Sequence, residues 1–199
     1  MTKLFSIRYI AILLAFSIVP VLTQAKASPD AAKQFIKTIT DEAIHVIVDD
    51  NISELQKEAV LSSILAESVD TKWISKFTMG RHWRNASDRQ KREYQELYKK
   101  FLIATYVPKF KEFTNEEIVI NKSIKEAEDE YLVQTKIVQE DEKEIEIDYR
   151  IRKYEDGTYQ IYDVIAEGIS LITTQRSEFS SILSRKGVAY LIKQLRKKV

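Results

Sequence analysis

The sequence predicts an α+β fold, a curved antiparallel sheet of about four strands covered by N-terminal and C-terminal helices. Three observations carry this. Apolar residues recur at helical spacing as far as Tyr106, switch to strict alternation from Ile118, and return to helical spacing from about Ser170. Tight turns between the alternating segments, Asp156-Gly157 above all, make the sheet antiparallel. Helices before and after such a sheet in the chain order give the α+β layout.

The N-terminus reads as an export signal. Lys3 and Arg8 precede an uncharged apolar run from Tyr9 to Leu22, which ends at Ala25-Lys26-Ala27. A cationic start, a short apolar middle and small residues before a cut are the requirements of a signal peptide, with cleavage expected after Ala27. Helix over that run reaches only about 21 Å, against a hydrocarbon core of roughly 30 Å, so a permanent anchor is the weaker reading. Residues 1–27 are therefore assigned as signal peptide and 28–199 as a single domain. The whole chain has 199 residues and a formal charge of +1, and losing the three cations of residues 1–27 brings it to about −2. That balance argues against a nucleic-acid partner and against strong attachment to an anionic membrane. Cysteine is absent, so stability in an oxidising compartment must come from the core.

Ser28-Pro29-Asp30 is a helix start: a capping hydroxyl, a proline at the first helical position and an early carboxylate. Phe35, Ile39, Ala43 and Ile47 follow as the expected buried stripe, through about Val48. Ser53 with Gln56 forms a capping box for a second helix, with Leu55, Ala59, Ile64 and Leu65 expected inward. A third helix is expected from Thr71 to Met79, stopped at Gly80. Ser87 with Gln90 opens the longest helix, whose stripe is Tyr94, Leu97, Phe101, Leu102 and Thr105-Tyr106, and Pro108 should kink or end it. The strands place Ile118 and Ile120, then Tyr131, Val133, Thr135 and Ile137, then Ile145, Ile147, Tyr149 and Ile151, on dry faces, with a fourth strand from Tyr159 to Ile165. A last helix after Gly187 carries Val188, Leu191, Ile192 and Leu195.

Conventional catalytic patterns are missing. His45 and His82 are the only histidines and sit in no metal-ligand spacing; there is no cysteine, no G-x-S-x-G elbow, and four glycines leave no phosphate-cradling loop. Asp163 shares strand parity with Tyr159, Ile161 and Ile165, so it is either a buried general base or, more blandly, a carboxylate salt-bridged to Arg176 or Arg81. No catalytic residue, metal ligand or cofactor is assigned, and a small-molecule enzyme using Asp163 as base is the alternative reading.

Two segments carry a family resemblance. One is Met79-Gly80-Arg81-His82-Trp83-Arg84, followed by Ser87, Gln90, Phe101 and Tyr106; the other is Tyr162-Asp163-Val164-Ile165-Ala166-Glu167-Gly168-Ile169-Ser170-Leu171, then Arg176, Phe179 and Gly187. Together they resemble the MlaC family of periplasmic phospholipid-binding proteins, also described as toluene-tolerance or auxiliary transport proteins, over roughly Pro29 to Leu195. The resemblance implies a periplasmic carrier with no enzymatic activity, whose helices and sheet enclose an apolar pocket for phospholipid tails. It also implies two partners: an outer-membrane lipoprotein complex and an inner-membrane ATP-binding-cassette transporter with an MCE-domain subunit. Lipid shuttled between them would maintain outer-membrane lipid asymmetry, with phospholipid as cargo and a monomeric carrier.

Parity and spacing, rather than the resemblance, choose the expected pocket wall. Val133, Ile145, Ile147 and Tyr149 come from the strands, Ile165 and Ile169 from the strand-to-helix junction, and Phe101 and Tyr106 close it from the helical side.

Overall fold

The computed structural model describes residues 28–111 and 116–199, so the expected signal peptide and its cut lie outside the described residues. The order is α1 (Pro29–Val48), α2 (Glu54–Ser68), α3 (Thr71–Met79), α4 (His82–Asn85), α5 (Asp88–Phe110), β1 (Glu117–Lys125), β2 (Glu130–Val138), β3 (Glu144–Lys153), β4 (Tyr159–Ala166), β5 (Ile169–Ser170) and α6 (Leu171–Arg196). The expected α+β layout is present, with a fifth, two-residue strand.

Local signals set most boundaries. The Ser28 side chain caps α1 by accepting from the Ala31 amide, and both capping boxes form, Ser53 with Gln56 and Ser87 with Gln90. Gly80 ends α3 at φ 54 and ψ −132, a combination that only glycine adopts without strain. Pro108 does not end α5, which runs two residues further to Phe110. A proline in the last turn removes one donor where few bonds remain to be made, so the helix tolerates it. Gly187, at φ 76 and ψ 176, bends α6 where the last helix was expected to begin.

The sheet is antiparallel in the order β1-β2-β3-β4-β5, with its two ends unpaired to each other. Two bulges bend it: Asn121 is extra in β1, and Tyr162 is extra in β4, where Arg150 pairs with Asp163 but Ile151 pairs with Ile161.

Two apolar cores result. The larger joins α2, α3, α5 and α6 with the end of α1 and includes Leu61, Leu65, Ile74, Met79, Tyr94, Tyr98, Phe101, Phe179 and Leu191. Its rings interlock, Phe179 meeting Tyr94, Tyr98 and Phe101 at centroid distances of 6.3–6.4 Å. The smaller presses Ala32 and Ile36 of α1 onto Tyr131, Val133, Ile151 and Ile161 of the sheet.

Several inward expectations shift accordingly. In α1 the buried residues are Ala32, Ile36 and Val46, and the expected stripe of Phe35, Ile39, Ala43 and Ile47 only flanks them, because this helix meets the sheet with one end and the helical core with the other. Leu55 is 78% exposed and Ala59 is exposed, while Leu61 is buried in their place.

Candidate functional site

The sheet has one dry face, and its register defines it. Tyr131 pairs with Ile151, Val133 with Tyr149, Thr135 with Ile147, and Ile137 with Ile145, all pointing to the same side. Ile118 and Ile120 of β1 extend that row past Ile137 and Thr135, and Ile161, Val164 and Ala166 of β4 extend it past Ile151, Tyr149 and Ile147. Only half of this face is sealed. Under Ala32 and Ile36, the residues Tyr131, Val133, Ile151 and Ile161 are buried. The other half, Ile118, Ile120, Ile137, Ile145, Ile147, Tyr149, Val164 and Ala166, is only half-buried. A contiguous apolar surface left partly uncovered beneath a docked helix is what a long apolar ligand requires.

Electrostatics agree that this half is poor in water. Burial pushes the Tyr149 phenol up to about 12 although its side chain keeps some accessible surface. Thr135 uses its hydroxyl internally, donating to the Ile147 carbonyl at 2.5 Å, so it offers no polar group to the face.

Four of the expected wall residues, Val133, Ile145, Ile147 and Tyr149, share this face. The other four do not. The extra residue Tyr162 reverses parity within β4, so Ile165 pairs with Asp148 and points to the opposite side. Ile169 is 60% exposed, in a two-residue strand just after Gly168. Phe101 packs inside the helical core, against Tyr98 and Phe179, with the Lys198 ammonium 5.4 Å from its ring centroid. Tyr106 borders the same core, and burial together with the nearby Glu178 charge raises its phenol. The helix packed directly on the dry face is α1 rather than α5. Ala32 and Ile36 are legible in the sequence as an i, i+4 pair, and Ile118, Ile120 and Ile137 as alternating strand residues, but none of them is among the eight expected wall residues.

Asp163 is 2% exposed and fully engaged. It accepts from Arg150 Nη1 at 3.3 Å, from Ser170 Oγ at 2.8 Å and from the Ile172 amide at 3.4 Å, tying β3 and the start of α6 to β4. Arg150 also reaches Glu126 at 3.2 Å. The bland reading of this carboxylate holds with a different cation: Arg176 lies over the Phe77 ring at 4.5 Å and Arg81 approaches Ser184, because the β4 bulge turns Asp163 toward Arg150 instead.

Two open clefts lie elsewhere. One of about 580 Å³ runs between α1 and α2, lined by Phe35, Ile39, Val60 and Ile64; another of about 1000 Å³ lies between the α2–α3 junction and β4, around Trp73, Arg152 and Tyr159. None of the eight expected wall residues lines either. Among the described residues, no group of three His, Asp or Glu is placed to hold a metal ion, and no helix is long and apolar enough to cross a membrane.

The same architecture occurs in a solved structure, described as the phospholipid-binding protein from Ralstonia solanacearum in complex with a phospholipid. The two chains superpose with a TM-score of 0.74 at 24% sequence identity, covering 84% of this chain and 96% of that one. At that identity the likeness establishes the fold. The family model described as MlaC protein matches residues 25–197. With nearly the whole of the described fold inside that match, the chain belongs to the MlaC family.

Proposed function

We propose that this protein is a periplasmic phospholipid carrier that holds acyl tails against the half-open dry face of its sheet. The observation that carries the reading is the half-buried row Ile118, Ile120, Ile137, Ile145, Ile147 and Val164 beside the part of the sheet sealed by α1. Acyl chains offer no hydrogen bonds, so a dry surface is nearly all they demand. Each buried methylene is worth about 0.8 kcal/mol, and a two-tailed lipid of about thirty methylenes gains roughly 24 kcal/mol, approximately what leaving the bilayer costs. The carrier then only has to break even.

Direction must come from partners. This chain has no phosphate-cradling loop with which to hold a nucleotide, so net transfer between an inner-membrane MCE-type ABC transporter and an outer-membrane lipoprotein complex would rest on their different affinities for it. Such a cycle, run by a monomeric carrier released by signal cleavage after Ala27, would maintain outer-membrane lipid asymmetry. Family membership and the phospholipid held by the Ralstonia solanacearum protein support this reading. A reaction based on Asp163 gains no support, since all the donors around that carboxylate hold it in place.

Organic extraction of the purified protein followed by mass spectrometry tests the proposal. Phospholipid near one molecule per chain is the expected result; a lipid-free extract that also fails to load from vesicles would remove it.

A further inference from the structure

The small net charge conceals a strong separation of charge. Residues 71–111 and 171–199, which make up α3, α4, α5 and α6, hold eighteen Lys and Arg against four Asp and Glu. Residues 28–70 and 116–170, which make up α1, α2 and the sheet, hold ten against twenty-five. The fold gathers the first set, because α3, α5 and α6 pack on one another, and the two sets meet where α2 packs on α5 and Lys111 pairs with Glu54 and Glu58. The end of α6 lies along the middle of α5: Arg196 bonds Glu93, and Lys198 sits over the Phe101 ring. Exposed Arg92, Lys100 and Lys197 are chain neighbours of those contact residues, and Lys193 lies one turn back from Lys197.

We propose that this cationic pole is a docking surface for the anionic headgroups of a phospholipid bilayer. Each exposed Lys or Arg within a Debye length, roughly 8 Å at physiological salt, is drawn to an anionic leaflet. The acidic pole is repelled at the same time, so the separation orients the molecule as well as attracting it. The expectation against strong attachment to an anionic membrane rests on the net charge alone, and the sum cannot register this separation.

The composition of the pole favours a bilayer over an acidic protein. A protein interface has an apolar centre depleted in Lys, and aromatic anchors. Among the described residues, the exposed large apolar side chains are Val48, Leu55, Val60, Phe110, Ile124, Ile169 and Val199; of these Phe110 is the last residue of α5 and Val199 lies three residues beyond the end of α6. A spread of cations with no apolar centre suits a laterally mobile field of headgroups. The inference does not depend on what the dry face carries.

Flotation of the purified protein with vesicles tests it. Vesicles of 70% phosphatidylcholine and 30% phosphatidylglycerol are compared with pure phosphatidylcholine at ~50 and ~300 mM salt. The expected result is binding to the anionic vesicles only, weakened about tenfold by the higher salt. The triple change Arg92→Glu, Lys100→Glu and Lys197→Glu should abolish it. Changing Lys122, Lys125 and Lys143 to Glu, an equal change of net charge on the sheet, should leave most of it. The milder Arg92→Gln, Lys100→Gln and Lys197→Gln set should fall between, and covers the case in which triple reversal unfolds the chain. Equal binding by both triple-Glu variants would overturn the proposal. So would tighter binding to poly-L-glutamate than to the anionic vesicles, which marks an acidic protein partner, or low-salt self-association in place of vesicle binding, which marks pole-to-pole contact between copies.

Discussion

Arg176 of α6 lies so close to Gly80 that a Cβ built on the glycine would stand 3.3 Å from the arginine Nη2. Gly80 also has φ 54 and closes α3, while the Arg176 guanidinium stacks on Phe77 of that helix. The two segments that carry the family resemblance thus meet at this contact. Strain in the left-handed region and loss of room should act together, so Gly80→Ala should cost about 1–2 kcal/mol. Urea unfolding measures it; an unchanged midpoint would mean that Arg176 swings away freely and the backbone relaxes.

Asp163→Asn should destabilise the fold by about 2 kcal/mol, the scale of losing charge-assisted bonds at a buried carboxylate whose Arg150 partner is partly solvated. Lipid loading should survive. A mutant with wild-type stability but impaired loading would place Asp163 in the ligand site instead.

On the dry face, Ile147→Glu or Ile145→Asp puts an unpaired charge where tails would lie, at a cost of several kcal/mol to any bound chain. Lipid content by mass spectrometry should drop to a small fraction of wild type while the circular dichroism spectrum persists. Ile169→Asp, on an exposed side chain, should change neither. Loss of lipid in the Ile169 variant alone would put the cargo at the β5 junction.

How much of this was legible follows from the range of each signal. The Ser53–Gln56 and Ser87–Gln90 boxes span three residues and can be read without knowing what surrounds them. The alternation of Ile145, Ile147 and Tyr149 is equally local and marks the residues that share the dry face. A one-residue bulge at Tyr162 has no such mark, yet it sends Ile165 and Asp163 to the other side and selects Arg150 over Arg176. Leu55 failed for a related reason: a helix pattern shows which residues share a face, while the neighbour that buries that face is set by tertiary packing.

Alkaline pH supplies a test of how dry the face is. The Tyr149 phenol ionises near 10 in an unfolded chain and at about 12 in the fold. Between those values the native state holds the extra proton, so stability is intact below about pH 10 and declines as pH rises toward 12. Burial raises Tyr94, Tyr98 and Tyr162 as well, so the decline is shared. Tyr149→Phe should remove about 2 kcal/mol of it by pH 12. If the variant and wild type lose stability in parallel above pH 10, the Tyr149 hydroxyl is wet.

Cargo on the half-open face lies against the edge of α1, and that helix is lightly held. Only Ala32, Ile36 and Val46 of its twenty residues are buried apolar anchors, and the 580 Å³ cleft separates part of it from α2. The sheet beneath is held by continuous ladders from β1 to β4, which open less readily than side-chain packing. The end of α5 near Tyr106-Val107-Pro108 is the rival gate, since a proline weakens the turn before it; there Val107 is buried, and the helix continues through the proline to Phe110. The contact of α1 with the sheet makes it the better moving cover. Hydrogen exchange compares the two: amides of Phe35 to Val46 should exchange at least about tenfold faster in lipid-free than in lipid-bound protein, with Glu144 to Lys153 protected in both. Acceleration confined to Phe101 to Lys111 would place the gate at α5.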